Sequence, residues 1–217
     1  MIPPPAPARP PRGLLLDAMG TLIGLREPVG QTYARLAGEH GITVEAAAVQ
    51  QAFGQAWRQA PPLAFPGLTG EALAEAERRW WWQRIDASLV GAGGRPATAE
   101  LVDALLAHYA NATAWRVYAD VPPLLQRWRQ RGLALAVVSN FDSRLEGLLE
   151  ALDLRRWLQA VVISSSAGAA KPQPEPFQQA LALLQLTPGE TWHVGDSPED
   201  AAGAAAAGVR FIQVQRR

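Results

Sequence analysis

The chain has 217 residues, 48% hydrophobic and 18% charged, and its twenty basic and twenty acidic side chains cancel to zero. That length suits one domain, or one core carrying an insertion; the composition excludes a disordered or membrane-embedded chain, and the balanced charge argues against nucleic acid as a partner. No cysteine is present, which excludes disulfides, thiolate catalysis and cysteine-built metal sites, and nineteen of the twenty basic residues are arginine, leaving Lys171 as the only lysine.

Residues 1–12 hold six of the eighteen prolines and no apolar periodicity, so they read as an extended, exposed, flexible tail. The apolar run that follows is cut at Asp17, which is wrong for a signal peptide, and no stretch approaches the ~20 apolar residues of a membrane-spanning helix. A cytoplasmic location without a membrane partner is the expectation.

Residues 13–18 (GLLLDA) form a short apolar run ending in a carboxylate, the pattern of a buried parallel strand. Residues 133–138 (LALAVV), 160–163 (AVVI), 191–195 (TWHVG) and 209–214 (VRFIQV) repeat it, which gives five predicted strands. Helical spacing lies between them, at Val121, Leu124, Leu125 and Trp128, at Leu145, Leu148, Leu149 and Leu152, and at Phe177, Ala180, Leu181 and Leu184. This alternation predicts an α/β fold with a Rossmann-like parallel-sheet core. Residues 26–111 break it: they read as several helices, interrupted at 38–41, 61–70 and 91–96, with Val29, Thr32, Tyr33 and Leu36 on the first and Leu73, Ala76, Trp80, Trp81, Arg84 and Ile85 on a longer one. The expected organisation is thus a core of residues 13–25 and 112–217 with an all-helical cap, residues 26–111, over the carboxyl ends of the strands, where open α/β sheets bind ligands.

Asp17, Ser139 with Asn140, Lys171 and Asp196 all fall at those carboxyl ends. Each has an ordinary structural role open to it, in a turn, a helix cap or an exposed loop. Together they suit nucleophilic attack by a carboxylate on a phosphoryl centre. Asp17 would be the nucleophile. Asp196, helped by Asp200, would hold a hard cation such as Mg²⁺. Ser139 and neighbouring backbone N–H groups would cradle phosphoryl oxygens, and Lys171 would supply a compact positive charge that the bulkier guanidinium could not replace.

Asp17-Ala18-Met19-Gly20-Thr21-Leu22, Ser139-Asn140, Lys171-Pro172 and Gly195-Asp196-Ser197-Pro198-Glu199-Asp200 resemble, in order and spacing, the four motifs of the haloacid dehalogenase-like hydrolase superfamily. The resemblance runs over residues 13–217, the helical insertion matches a C1-type cap, and SNFDSRL, AKPQPEPF and HVGDSPED are similar to the HDHD-type subgroup. It implies that Asp17 is the catalytic nucleophile and a Mg²⁺ ligand and that Asp196 is a second ligand. It also implies that Ser139, Asn140 and Lys171 form the phosphate-binding group, that Lys171 is catalytic as well and stabilises the site, and that Asp200 supports the metal or orients Lys171. The implied partner is a small phosphorylated molecule. One position departs from the pattern: superfamily phosphatases carry an acid–base aspartate two residues after the nucleophile, and here Met19 stands there. Its backbone carbonyl still serves a metal, but a thioether shuttles no proton, a loss worth about 10²–10⁴-fold.

Three readings follow. The first is a Mg²⁺-dependent, phosphatase-like hydrolase, weak or specialised toward leaving groups that need no proton. The second is a non-catalytic binding or regulatory protein on a degenerate scaffold of this kind. A 2-haloacid dehalogenase ranks last, because Gly195-Asp196 supplies a metal ligand that dehalogenases lack. A receiver domain fails on motif order. Elsewhere, Trp80-Trp81-Trp82 occupy positions about 100° apart on a helix, so two are expected inside the cap and one on its surface or at its contact with the core. His193 reads as a core or edge histidine, His40 and His108 as helix-end residues, and Arg26 and Arg35 as surface arginines within reach of an anionic substrate.

Overall fold

The structure is a computed structural model that describes residues 10–216. Most of the expected tail, residues 1–9, lies outside the described residues. Arg12 does not behave as tail: its N–H donates to the Glu190 carbonyl at 2.7 Å, and its own carbonyl accepts from Ala134 at 2.9 Å.

Five strands, β1 (Gly13–Leu16), β4 (Ala134–Ser139), β5 (Ala160–Ile163), β6 (Thr191–Gly195) and β7 (Arg210–Gln213), form one parallel sheet in the order β5-β4-β1-β6-β7. Every residue of β1 is buried. As the central strand it is covered on both faces, and its apolar run is therefore continuous rather than alternating. Leu14 and Leu16 pack on one side with Leu135 and Val137, against helices α5 (Val121–Gln130) and α6 (Arg144–Ala151). Leu15 packs on the other with Ala136 and Val138, against α8 (Glu175–Leu184) and α9 (Pro198–Ala206). Burying one such leucine is worth about 1.5–3 kcal/mol. From β1 the chain builds outward through β4 and β5, then returns to the far side of β1 for β6 and β7. The crevice at the carboxyl end of β1 is the point where strand order reverses, the position at which open α/β sheets bind ligands.

Two further strands escaped the sequence reading. Strands β2 (Ile23–Leu25) and β3 (Trp115–Val117) pair antiparallel, Ile23 with Val117 and Leu25 with Trp115. Each has three residues, too few to show an alternation. They are the stem through which the chain leaves and re-enters the sheet domain. Between them lie α1 (Val29–Glu39), α2 (Ala46–Arg58), α3 (Gly70–Gly91) and α4 (Ala99–Ala110), around their own core of Tyr33, Leu36, Val49, Ile85, Leu89, Leu101 and Leu105. A short helix, α7 (Ser164–Ala167), follows β5. The α2–α3 connection touches it: Phe65 N–H donates to the Ser165 carbonyl at 3.1 Å, and the Ser164 hydroxyl donates to the Leu63 carbonyl at 2.6 Å. No helix among the described residues is long and apolar enough to cross a membrane.

Candidate active site

The strand order gathers Asp17, Ser139, Lys171 and Asp196 at one edge of the sheet. Asp17 follows β1 directly, and its N–H extends the ladder to the Val194 carbonyl of β6 at 2.9 Å. Ser139 ends β4 and donates its hydroxyl to Asp17 Oδ1 at 3.1 Å. Lys171 enters from the α7–α8 connection, 6% exposed. Its ammonium donates to Asp17 Oδ1 at 2.6 Å, to Asp200 Oδ1 at 2.5 Å and to the Val138 carbonyl at 3.1 Å. Three donors thus meet three acceptors, which is the full hydrogen-bonding capacity of an ammonium.

Asn140 holds this lysine in place. Its carboxamide oxygen accepts Lys171 N–H at 2.8 Å, and its amide N–H donates to the Lys171 carbonyl at 2.9 Å. The side chain expected to serve phosphate is therefore engaged with the lysine backbone.

Asp200 is fully buried, and both its oxygens are occupied. Oδ1 meets Lys171 and His193 Nε2, the latter at 2.8 Å. Oδ2 accepts Ser197 N–H and Oγ–H at 3.1 and 2.8 Å, while Asp200 N–H returns a bond to Ser197 Oγ, so the pair closes a capping box at the start of α9. Ser197 is a helix cap, as its Ser-Pro context allows, while Asp196 beside it points to other partners. His193 lies in the core, as expected, with the ring edge-on to Phe177 and Nδ1 3.0 Å from the Leu15 carbonyl. Its link to Asp200 was not foreseen; the available signal was a polar residue inside an apolar strand seven positions before an acid.

Two glycines let the carboxylates approach. Gly20 has φ +84°, and a Cβ there would stand 2.4 Å from Asp196 Oδ2. A Cβ on Gly195 would meet the Asp200 carboxyl carbon at 2.4 Å. Thr21, buried and unremarked in the sequence, donates its hydroxyl to Asp196 Oδ1 at 3.0 Å. Met19 lies between Asp17 and Gly20 in sequence and is 47% exposed.

The charges are unbalanced. Asp17, Asp196 and Asp200 each bring a carboxylate oxygen to within 4.8 Å of the others, and among the described residues Lys171 is the one ammonium bonded to any of them. Burial raises the Asp17 carboxyl; Lys171 pulls it down, but Asp200 and Asp196 add to the rise, and the net shift is upward. Burial would also raise Asp200, yet the hydrogen bond from His193 and the charge of Lys171 outweigh it and hold Asp200 well below the usual carboxylate range. Burial acts to lower Lys171, but the charges of Asp17 and Asp200 override it and hold it above its usual value. An oxygen-only donor set with surplus negative charge fits a hard divalent cation such as Mg²⁺. With Asp200 fully engaged, Asp17 and Asp196 are the residues able to hold one.

A pH prediction follows from Asp200. Because its folded-state pKa is depressed, its stabilisation is present above about 3.9, the unfolded value, and is lost as pH falls toward the folded value. Urea midpoints are expected to fall between pH 6 and pH 3, and Asp200→Asn is expected to flatten that slope. An unchanged slope would mean that other carboxylates control the acid transition.

Arg26 and Arg35 lie elsewhere. Both line a cleft with His108 and Tyr109 that shares no residue with the Asp17 cluster. Arg26 donates to the Trp115 carbonyl at 2.7 Å, and Arg35 pairs with Glu39 on the surface of α1. Of the three tryptophans, Trp80 is buried in the helical insertion with its N–H on the Pro61 carbonyl, Trp82 packs partly against the insertion's core, and Trp81 reaches the sheet domain.

A five-stranded parallel sheet with carboxylates and a lysine at its switch point, and a helical insertion after the first strand, defines a hydrolase-type α/β architecture. The haloacid dehalogenase-like hydrolase family model matches residues 11–208, and the chain belongs to that family. It is 40% identical to haloacid dehalogenase-like hydrolase domain-containing protein 3 of Bos taurus, over 94% of this chain and 81% of the relative. It is 36% identical to phosphoserine phosphatase of Thermus thermophilus, over 70% of this chain and 60% of that protein. Among solved structures, CbbY from Rhodobacter sphaeroides in complex with phosphate aligns with TM-score 0.68 at 18% identity, covering 95% and 87% of the two chains. L-2-haloacid dehalogenase from Xanthobacter autotrophicus aligns with TM-score 0.66 at 22% identity, covering 94% and 77%. Phosphate-binding and dehalogenating proteins thus share this fold, and the fold does not choose between them.

Proposed function

We propose that the chain is a Mg²⁺-dependent, phosphatase-like hydrolase of small phosphorylated molecules that works through an aspartyl-phosphate on Asp17. Acyl and aryl phosphates, whose leaving groups depart without a proton, are its preferred class. The observation that carries this reading is the buried constellation in which Lys171 bridges Asp17 and Asp200 while Asp196 stands beside them with its oxygens directed by Thr21. Asp196 in that place supports phosphoryl chemistry over dehalogenation, where the nucleophile needs no cation.

Asp17 and Asp196, with the Met19 backbone carbonyl, would hold Mg²⁺; when bound, the ion supplies positive charge between the nucleophile and the phosphoryl group. An Asp17 carboxylate oxygen attacks phosphorus as the bond to the leaving group breaks, and the leaving oxygen departs as an anion. The Ser139 hydroxyl turns from Asp17 to a phosphoryl oxygen, and Lys171 keeps Asp17 oriented. Water then attacks phosphorus, the Asp17 O–P bond breaks to regenerate the carboxylate, and inorganic phosphate leaves while the water's proton passes to the phosphate oxygens or to solvent. Met19 takes no proton in either step, so the second is slow. The helical insertion, residues 26–111, acts as a cap over this pocket and selects the substrate.

The test uses Mg²⁺ and beryllium fluoride, a phosphoryl mimic that adds to a carboxylate. The expected result is a ¹⁹F signal for the adduct that disappears in Asp17→Asn. In parallel, Met19→Asp is expected to raise p-nitrophenyl phosphate turnover roughly tenfold or more, by restoring a proton shuttle. No adduct and no turnover of acetyl phosphate would instead establish the non-catalytic alternative, which the Met19 position favours.

A further inference from the structure

Glu77 and Trp81 are four residues apart on α3 and so share one face, one turn apart. Glu77 is 6% exposed. One of its oxygens accepts Ser143 N–H at 3.0 Å and the other accepts the Ser143 hydroxyl at 2.5 Å. Trp81 donates its indole N–H to Asp142 Oδ2 at 2.5 Å. Asp142, 1% exposed, is gripped by Arg144, whose Nε meets Oδ1 at 2.9 Å and whose Nη2 meets Oδ2 at 2.5 Å. The Arg144 guanidinium also lies 5.1 Å from the Trp81 ring centroid and donates to the Leu106 carbonyl of α4 at 3.4 Å. Three consecutive residues of the sheet domain, 142–144, are thus held by two helices of the insertion.

That segment begins three residues after Ser139, and Asn140, two residues before it, fixes the backbone of Lys171. The choice of polar groups is physically expensive. Asp142 has a cation, but Glu77 is a buried carboxylate satisfied by one serine and by the amino end of α6, where an apolar contact would hold two layers at lower cost. What a directional polar contact adds is a single register.

We propose that Glu77 and Trp81 are positioning residues: through Ser143 and Asp142 they hold the loop that carries Ser139 and Asn140, so that the insertion sets the geometry of the phosphoryl-binding groups. The catalytic half of this inference rests on the reading of the Asp17 pocket given above; the mechanical half does not.

The test compares Trp81→Phe, Glu77→Ala and the conservative Glu77→Gln with the wild-type chain, by hydrogen exchange and by acetyl phosphate kinetics. Exchange across residues 139–144 is expected to quicken about tenfold in Trp81→Phe and Glu77→Ala, the effect of losing roughly one hydrogen bond to a charged group. Residues 191–200 should keep their protection. The KM for acetyl phosphate should rise more than kcat falls, because Ser139 meets the phosphoryl group on binding while Asn140 holds the Lys171 backbone beside it. Glu77→Gln should restore both readouts: its oxygen still accepts the Ser143 N–H, and its NH₂ can donate to the Ser143 hydroxyl. Unchanged exchange at 139–144, or a uniform rise over the whole chain that follows a lower melting temperature, would overturn the proposal. If the wild-type chain turns over no acetyl phosphate, the reading of the pocket fails, and the exchange pattern alone decides whether the grip exists.

Discussion

Asp17→Asn is expected to lower turnover of acetyl phosphate by at least about 10³-fold, because a carboxamide does not attack phosphorus at a useful rate. The same variant is expected to melt at a higher temperature than the wild type when no divalent cation is present. Burial raises the Asp17 carboxyl and is the largest effect; Lys171 pulls it back by more than Asp200 and Asp196 push it up, but the net shift remains upward. A carboxyl whose pKa is raised by folding favours the fold at low pH and loses that contribution as pH rises through its folded value. At neutral pH its charge therefore opposes the native state, and an isosteric amide removes the opposition while still accepting from Ser139 and Lys171. Mg²⁺ should stabilise the wild type more than the variant and narrow the gap. Differential scanning calorimetry with and without Mg²⁺, beside a phosphate-release assay, checks both halves. Retained turnover would remove Asp17 as nucleophile, and a lower melting temperature would show that the buried Asp17 charge does not oppose the fold.

Lys171→Met is expected to destabilise the chain by about 3–5 kcal/mol, the usual cost of removing one partner of a buried ion pair, measured as a lower urea midpoint. The side chain is 4% exposed and faces Asp17 and Asp200, whose side chains are 8% and 1% exposed. Removing the ammonium leaves two buried carboxylates without their cation and the Val138 carbonyl without its side-chain donor. Lys171→Arg is also expected to fail, losing about 1–3 kcal/mol by overpacking. A guanidinium presents its N–H groups in a plane, whereas Asp17, Asp200 and Val138 surround a single nitrogen. A chain that uses arginine at nineteen of its twenty basic positions keeps lysine where a point charge with three donors is required. If Lys171→Arg matched the wild-type midpoint, that explanation would fall.

The parts of the fold that were legible in the sequence are those encoded locally. Each strand of the sheet is a short apolar run, α5, α6 and α8 carry helical apolar spacing, and Asp17, Ser139 and Asp196 could be placed at strand ends from those runs alone. Strands β2 and β3 were not legible, because three residues hold no period. Asn140 was assigned to phosphate on its neighbourhood with Ser139, yet its amide clamps Lys171, 31 positions away. His193 was correctly expected in the core, but its bond to Asp200 depends on how the first turn of α9 folds back over β6. Trp81 was one of three equivalent tryptophans until the orientation of α3 turned it toward Asp142.

By itself, the sequence determined the chain order of the five sheet strands and the main helices between them, the family, and the motif residues that reach the carboxyl edge of the sheet, because periodicity and motif spacing are properties of contiguous chain. The tertiary structure decided which of those residues touch. The strand order β5-β4-β1-β6-β7 brings β6 back beside β1, so that Lys171 meets Asp17 across 154 positions and His193 meets Leu15 across 178. The packing of α3 on the sheet domain places Glu77 on Ser143 across 66. Contacts at such separations follow from how layers pack around a shared core, and no local pattern records them.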